Sequence, residues 1–150
     1  MTDEKFSIVP YSDRYREEML SMVAGARRAM GLPEKVREDL YDVGANYLSK
    51  GDGFFLALDQ TGRVAGCLGF SRIPGGDEAF LHRFYVRAGL KRRGIGTLLL
   101  ERTEEAMREK GIALSRVHLG GDPGIWFESY AFYPKHGYRF TAPRYMEKRL

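Results

Sequence analysis

The stretch that most constrains this chain is a change of period. Residues 78–86, "EAFLHRFYV", alternate as a strand, and residues 94–111, "GIGTLLLERTEEAMREKG", repeat as a helix. Only the short basic loop "RAGLKRR" lies between them. A strand that runs through such a loop straight into a long helix fixes one junction around which the rest must pack. The first N–H groups of that helix have no intrahelical partners, and the macrodipole adds partial positive charge there. Gly94 and Gly96 let the backbone turn tightly and approach a ligand with no Cβ in the way. With Lys91, Arg92 and Arg93 beside them, the segment can cradle a pyrophosphate. The competing reading is a flexible loop beside solvated basic residues. Spacing argues against two nucleotide motifs. No Lys-Ser/Thr follows the second glycine, as a P-loop requires, and Leu99 stands where a dinucleotide fingerprint has its third glycine.

The flanking segments supply the layers. "KFSIVPY" reads as a short first strand ended by Pro10. Ser12 or Asp13 can cap a helix carrying Tyr15, Met19 and Val23, with Glu17 and Glu18 near its positive end. Pro33 suits the first turn of a second helix, with Val36, Leu40, Val43 and Tyr47 on one stripe. "GFFLALD" and "RVAGCLGFS" are strands joined by the hairpin signal "QTG", and "PGGD" turns into the third strand. Alternation there places Phe80, His82, Phe84 and Val86 on one face, and Leu81, Arg83 and Tyr85 on the other. Ile95, Leu98, Leu99, Ala106 and Met107 give the long helix a broad apolar face, and Gly111 stops it. "ALSRVHL" is a strand, "GGDPG" leads to a short helix near "WFESYAFYPKH", and "GYRF" and "RYMEKRL" close the chain as strands. Strands dominate the centre and helices interrupt, which predicts a mixed α+β sheet fold, residues 1–150 forming a single domain.

Composition excludes several classes. No stretch approaches the roughly 20 apolar residues needed to cross a bilayer, so no membrane partner is expected. The start "MTDEKFSIVP" has no apolar signal core, which makes the cytoplasm the expected location. Cys67 stands alone, and His82, His118 and His136 have no metal-ligand spacing, so no metal is expected. The net charge of +4 is modest and has no long basic runs, which makes nucleic acid an unlikely partner.

"FYVRAGLKRRGIGTLLL" resembles the signature segment of the GCN5-related N-acetyltransferases (GNAT), Gln/Arg-x-x-Gly-x-Gly/Ala after a strand ending in Val. Here it reads Lys91-Arg92-Arg93-Gly94-Ile95-Gly96 downstream of Val86, with Lys in the first position. "SYAFYPKHGYRF" is similar to the family's late "FYxKxGF" motif, and the element order matches along essentially the whole chain. The resemblance implies a central, mostly antiparallel sheet of six to seven strands, flanked by about four helices and splayed at an acetyl-CoA site. It implies direct acetyl transfer from acetyl-CoA to an amine of a small molecule or peptide in a ternary complex. Phe84, Tyr85 and Val86 would meet the pantetheine and acetyl group, and a backbone N–H near Tyr85 or Val86 would polarise the thioester carbonyl. The backbone of Arg92, Arg93, Gly94, Ile95, Gly96 and Thr97 would hold the pyrophosphate, with Lys91 at the motif's first position. A homodimer is a further expectation, since family members often dimerise.

Tyr133 matches the motif tyrosine that many members use as general acid; a phenol with pKa near 10 stays neutral until the leaving thiolate needs its proton. The alternative is a packed aromatic among Trp126, Phe127, Tyr130 and Phe132. The base is open. Where histone-acetylating members carry glutamate, six residues before Val86, this chain has Phe80. His82 matches a position where some arylalkylamine acetyltransferases carry histidine, and its ordinary pKa suits base work. It could equally be structural. Glu78 is the second possible base, Glu128 a distant third, and a water relay another route. Trp126 replaces a family asparagine, which puts one usual CoA contact in doubt. The rival functions are a non-catalytic acetyl-CoA sensor of the same fold and, less favoured, a nucleic-acid-binding protein using Lys91 to Arg93.

Overall fold

The computed structural model describes residues 5–150. The acidic start of the chain, residues 1–4, on which part of the expected lack of an export signal rests, lies outside the described residues. The described chain forms β1 (Ser7–Pro10), α1 (Arg16–Ala29), α2 (Val43–Asn46), β2 (Gly53–Leu58), β3 (Val64–Arg72) and β4 (Glu78–Val86). After the basic loop come α3 (Ile95–Glu109), β5 (Leu114–His118), α4 (Phe127–Lys135), β6 (Arg139–Ala142) and β7 (Tyr145–Arg149). The seven strands make one sheet in the order β1-β2-β3-β4-β5-β7-β6. Every neighbouring pair is antiparallel except β4 with β5, which the α3 crossover makes parallel. The fold is the mixed α+β sheet expected, mostly antiparallel and carrying four helices.

Two cores sandwich the sheet. On one face α1 and the segment after it bury Met19, Val23, Leu40 and Val43 against Leu56, Val64 and Tyr85. On the other, α3 buries Ile95, Leu99 and Met107 against Ala65, Leu68 and Leu81, together with Tyr133 of α4 and Tyr138. The apolar stripe of α3 is shifted from the expected one. It runs through Leu100, Thr103 and Glu104 as well, and at about 100° per residue Leu98 falls about 60° outside it. Leu98 is accordingly 38% exposed.

Three local expectations need correction. Neither Ser12 nor Asp13 caps α1: the chain enters through a 3-10 turn, Asp13–Tyr15, without a side-chain cap bond, and Asp13 instead pairs with Arg16 at 3.1 Å. The continuous second helix does not form. Val36, Leu40, Val43 and Tyr47 are buried as the stripe required, but the backbone breaks into 3-10 turns, Glu38–Asp42 and Leu48–Lys50, around the four-residue α2. The cause is side-chain competition for backbone groups. The Asp42 carboxylate accepts from the Ala45 N–H, restarting the helix, while Asn46 Nδ2 donates to the Asp39 and Asp42 carbonyls.

The third correction bears on the site. Strict alternation along β4 fails because β4 bulges against β3: Cys67 faces Tyr85, but Gly69 faces His82. Arg83 sits in the left-handed region at φ 56°. One extra residue shifts the pleat by one. Phe84 and Val86 therefore join the α3 core, whereas His82 turns to the ring of Tyr47, and Arg83 to Asp39, on the α1 side. His82 does not share a face with Phe84. Just before the bulge β4 also parts from β5, their pairing stopping at Phe80 with Arg116 although both strands continue. The sheet is splayed there.

Candidate functional site

The splay and the basic loop form one continuous site. The loop between β4 and α3 reverses through three left-handed residues, Gly89 at φ 87°, Arg92 at φ 65° and Gly94 at φ 82°. Gly94 is the N-cap of α3 and supplies no side-chain cap, so the leading N–H groups of the helix have no side-chain acceptor. Left-handed residues interleaved with ordinary ones also turn successive N–H groups toward one concavity, the geometry of an anion nest.

That concavity opens into a groove of about 550 Å³. β4 contributes Phe84 and Val86, the loop contributes Lys91 and Arg92, and the start of α3 contributes Gly94 through Thr97. α4 forms the opposite wall with Phe127, Phe132 and Tyr133. A Cβ on Gly96 would lie 3.3 Å from Phe132 and 3.4 Å from Phe84, so a side chain there would narrow the groove at its base. Lys91 reaches Glu128 across the mouth at 3.4 Å. Cationic side chains, uncapped N–H groups and an apolar wall fit a long ligand with a pyrophosphate at one end. Of the expected contacts, Tyr85 and Arg93 are not in the lining; Tyr85 packs its ring on the α1 side, where Arg27 donates to its hydroxyl at 3.1 Å.

Tyr133 stands at the inner end of the groove. Its ring is held by Phe132, Phe84 and Tyr138, with centroids 5.5, 6.2 and 5.3 Å away. Tyr138 is anchored in turn: its hydroxyl donates to buried Glu104 at 2.8 Å and meets Ser115 at 2.8 Å, and Lys148 closes the network on Glu104 at 2.9 Å. Tyr133 is 3% exposed, and among the described residues its hydroxyl has no hydrogen-bond partner. Burial alone raises its pKa above the ordinary phenol value, so the hydroxyl stays protonated throughout the physiological range.

A second cavity, of about 280 Å³, lies in the splay between β4 and β5, and Phe84, Ser129 and Tyr133 line both it and the groove. His82 also lines it, its Nε2 2.6 Å from Ser71 Oγ. Burial, and then the neighbouring Arg83 guanidinium, push His82 below its ordinary pKa, so the imidazole is neutral near pH 7. Arg83 is itself tied to Asp39, with Nε to Oδ2 at 3.0 Å, and Tyr47 donates to the same carboxylate at 2.6 Å. Burial opposes ionisation of Asp39, but these two hydrogen bonds outweigh it and hold its pKa below normal.

The other possible bases lie elsewhere. Glu78 pairs with Arg116 at 3.2 Å outside the cavity lining, and Glu128 faces Lys91 at the groove mouth. Cys67 is buried, its thiol pushed up to about 12, which leaves it inert. Among the described residues no group of three His, Cys, Asp or Glu side chains is placed to hold a metal. Sequence reasoning missed Ser129, although its four-residue spacing from Tyr133 puts both on one helix face. It also missed Arg37 and Arg144 in the second cavity; these reach it from distant loops and carry no local signal.

The sequence matches the acetyltransferase (GNAT) family over residues 17–138. No curated protein sequence matches the chain. An acetyltransferase of the GNAT family from Staphylococcus aureus Mu50 superposes with a TM-score of 0.83 at 21% identity, over 97% of this chain and 99% of that one. The PaiA N-acetyltransferase of Thermoplasma acidophilum, in complex with coenzyme A, superposes at 0.76 with 19% identity, over 97% and 99%. A GNAT family acetyltransferase from Brucella melitensis in complex with acetyl-CoA gives 0.71 at 16% identity, over 97% and 88%.

Proposed function

Because this chain belongs to the acetyltransferase (GNAT) family, we propose that it is an N-acetyltransferase moving an acetyl group from acetyl-CoA directly to an amine in a ternary complex. One observation carries the reading: the anion-holding groove and the second cavity meet at Phe84, Ser129 and the unpaired hydroxyl of Tyr133. Bound in the groove, acetyl-CoA supplies an activated thioester carbonyl. Lys91, Arg92 and the leading amides of α3 hold its pyrophosphate, and the unpaired edge of β4 beyond Phe80 accepts the pantetheine arm.

The amine enters from the second cavity and attacks the carbonyl carbon. A C–N bond forms, the C–S bond breaks, and one N–H proton leaves the nitrogen. His82, neutral and inside that cavity, takes this proton directly or through water. Tyr133 gives its proton to the departing sulfur, and the proton on His82 returns the site to its starting state through solvent. The products are an amide and CoA thiol.

Thiol release from acetyl-CoA with a panel of amines tests the reading. Amine-dependent release is expected, with Tyr133→Phe lowering it at unchanged CoA affinity. CoA binding without release for any amine would favour the sensor reading instead. Salt-sensitive nucleic-acid binding that CoA does not displace would point elsewhere.

A further inference from the structure

The second cavity has a sign. Arg27, Arg37, Arg83 and Arg144 all line it, and no Asp or Glu does. Only Arg83 has its charge matched, by Asp39. Arg27 donates to the Pro33 carbonyl and the Tyr85 hydroxyl, and Arg144 to the Leu119 carbonyl at 3.3 Å. Among the described residues none of Arg27, Arg37 and Arg144 is paired with a carboxylate. Of the acidic residues nearby in sequence, Glu34 is engaged with Arg28, and Asp39 with Arg83 and Tyr47. Three unmatched guanidiniums thus surround a cavity beside the hydroxyl of Tyr133.

We propose that the acceptor is an amine that also carries an anionic group, a carboxylate or phosphonate, which Arg27, Arg37 and Arg144 hold while the amine faces Tyr133. Guanidiniums pair with such oxyanions through two parallel N–H donors. The same field acts on the nucleophile. Nearby cations disfavour an ammonium and lower its pKa, which helps free the lone pair that attack requires. A purely cationic amine is repelled, whereas an amino acid enters as a zwitterion with its anion compensated.

The inference rests on the acetyltransferase reading, and the test separates the two. Common L-amino acids are compared with their carboxamides, 2-aminoethylphosphonate with ethanolamine, and spermidine serves as the purely cationic comparator. Thiol release from acetyl-CoA is one measurement, and calorimetric binding to the CoA-loaded protein is the other. At least one anionic amine is expected to exceed its uncharged counterpart at least tenfold in kcat/KM, chiefly through KM. A carboxamide has the more acidic ammonium, so a cavity blind to the anion would favour it instead. Arg144→Gln and Arg37→Gln, at exposed positions, are expected to bring the acid-to-amide ratio toward one, and Arg144→Lys to restore part of it. Equal or better use of carboxamides or spermidine would overturn the inference while leaving the acetyltransferase reading intact. Anion-dependent binding that the Gln variants abolish, without thiol release for any amine, would uphold anion recognition and remove the catalytic reading. Absence of any anion preference in both measurements would overturn the inference.

Discussion

In the proposed reaction Tyr133 and His82 face opposite protonation demands, and burial meets both. It raises the phenol, so Tyr133 holds its proton until a thiolate develops, and it lowers the imidazole, so His82 can accept one. Tyr133→Phe keeps the ring contacts with Phe84, Phe132 and Tyr138 and deletes only the donor. The expected result is a fall in kcat of about 100-fold, with CoA affinity unchanged by calorimetry; an unchanged kcat would make Tyr133 a packed aromatic. The pH profile tests His82. Its folded pKa lies below the ordinary value of about 6.5, so the active neutral form is complete above that value and is lost as pH falls through the folded one. The acid limb of kcat is expected below pH 6.5 and should vanish, with a lower plateau, in His82→Gln. A limb that survives the substitution would assign the proton to water or to the acceptor.

Among the elements, the one joining Asp39 to β4 departs most from what the sequence announces. All seven strands are legible because period-two runs end at Gly, Pro and Asp turns, and α3 is legible from its apolar stripe and Gly111. The glycine turn into α3 is legible because Gly94 and Gly96 stand together at the start of the helical pattern. The bulge is not, because period two reads straight through Arg83 and only pairing with β3 reveals the extra residue. The broken second helix is not, because its buried stripe is intact and the break lies in polar side chains, Asp42 and Asn46, that bond backbone. The second cavity is hidden for a third reason: its arginines come from α1, the next loop, β4 and the β6–β7 turn.

Asp39 ties these pieces together, accepting hydrogen bonds from the bulge residue Arg83 and from the hydroxyl of Tyr47 at once. Asp39→Ala leaves Arg83 uncompensated in a half-buried place and is expected to cost about 1–3 kcal/mol in urea unfolding. The acceptor KM should rise more than the affinity for CoA falls, since Arg83 lines only the second cavity, the proposed acceptor site. Because the folded carboxyl has a depressed pKa, this contribution is present above the unfolded value of about 3.9 and fades as pH drops through the folded value. The difference between wild type and Asp39→Ala should therefore shrink in acid. A difference that is the same at pH 3 and pH 7 would show that the ion pair contributes nothing.

For the whole molecule, the seam between β4 and β5 is the weak line of the backbone framework. Only Glu78 to Phe80 pair with Leu114 to Arg116, and past that point the two halves of the sheet are separated by the groove and the second cavity. α3 and the shared core still connect them, yet the seam itself is completed by whatever fills it. A ligand that binds only the folded chain adds RT ln(1 + [L]/Kd), about 2.7 kcal/mol at a hundredfold excess over Kd. For a chain of this size that corresponds to a rise in Tm of about 5–10 °C. The rise is expected with acetyl-CoA and with CoA alone, because the proposed pyrophosphate cradle would serve both. Amide exchange should slow most along β4, β5 and α4, and least along β6, which lies at the far edge of the sheet. Gly94→Val separates ligand from fold. Nothing lies within 4 Å of a Cβ at that position, but its φ of 82° strains any side chain, at a cost of about 1–2 kcal/mol. The variant should fold with a lowered Tm and lose most of the CoA-induced rise, because the turn that gathers the N–H groups of α3 no longer holds its shape. If it keeps the full rise, the helix N-terminus is not what holds the phosphates, and the basic side chains of Lys91 and Arg92 must carry the binding alone.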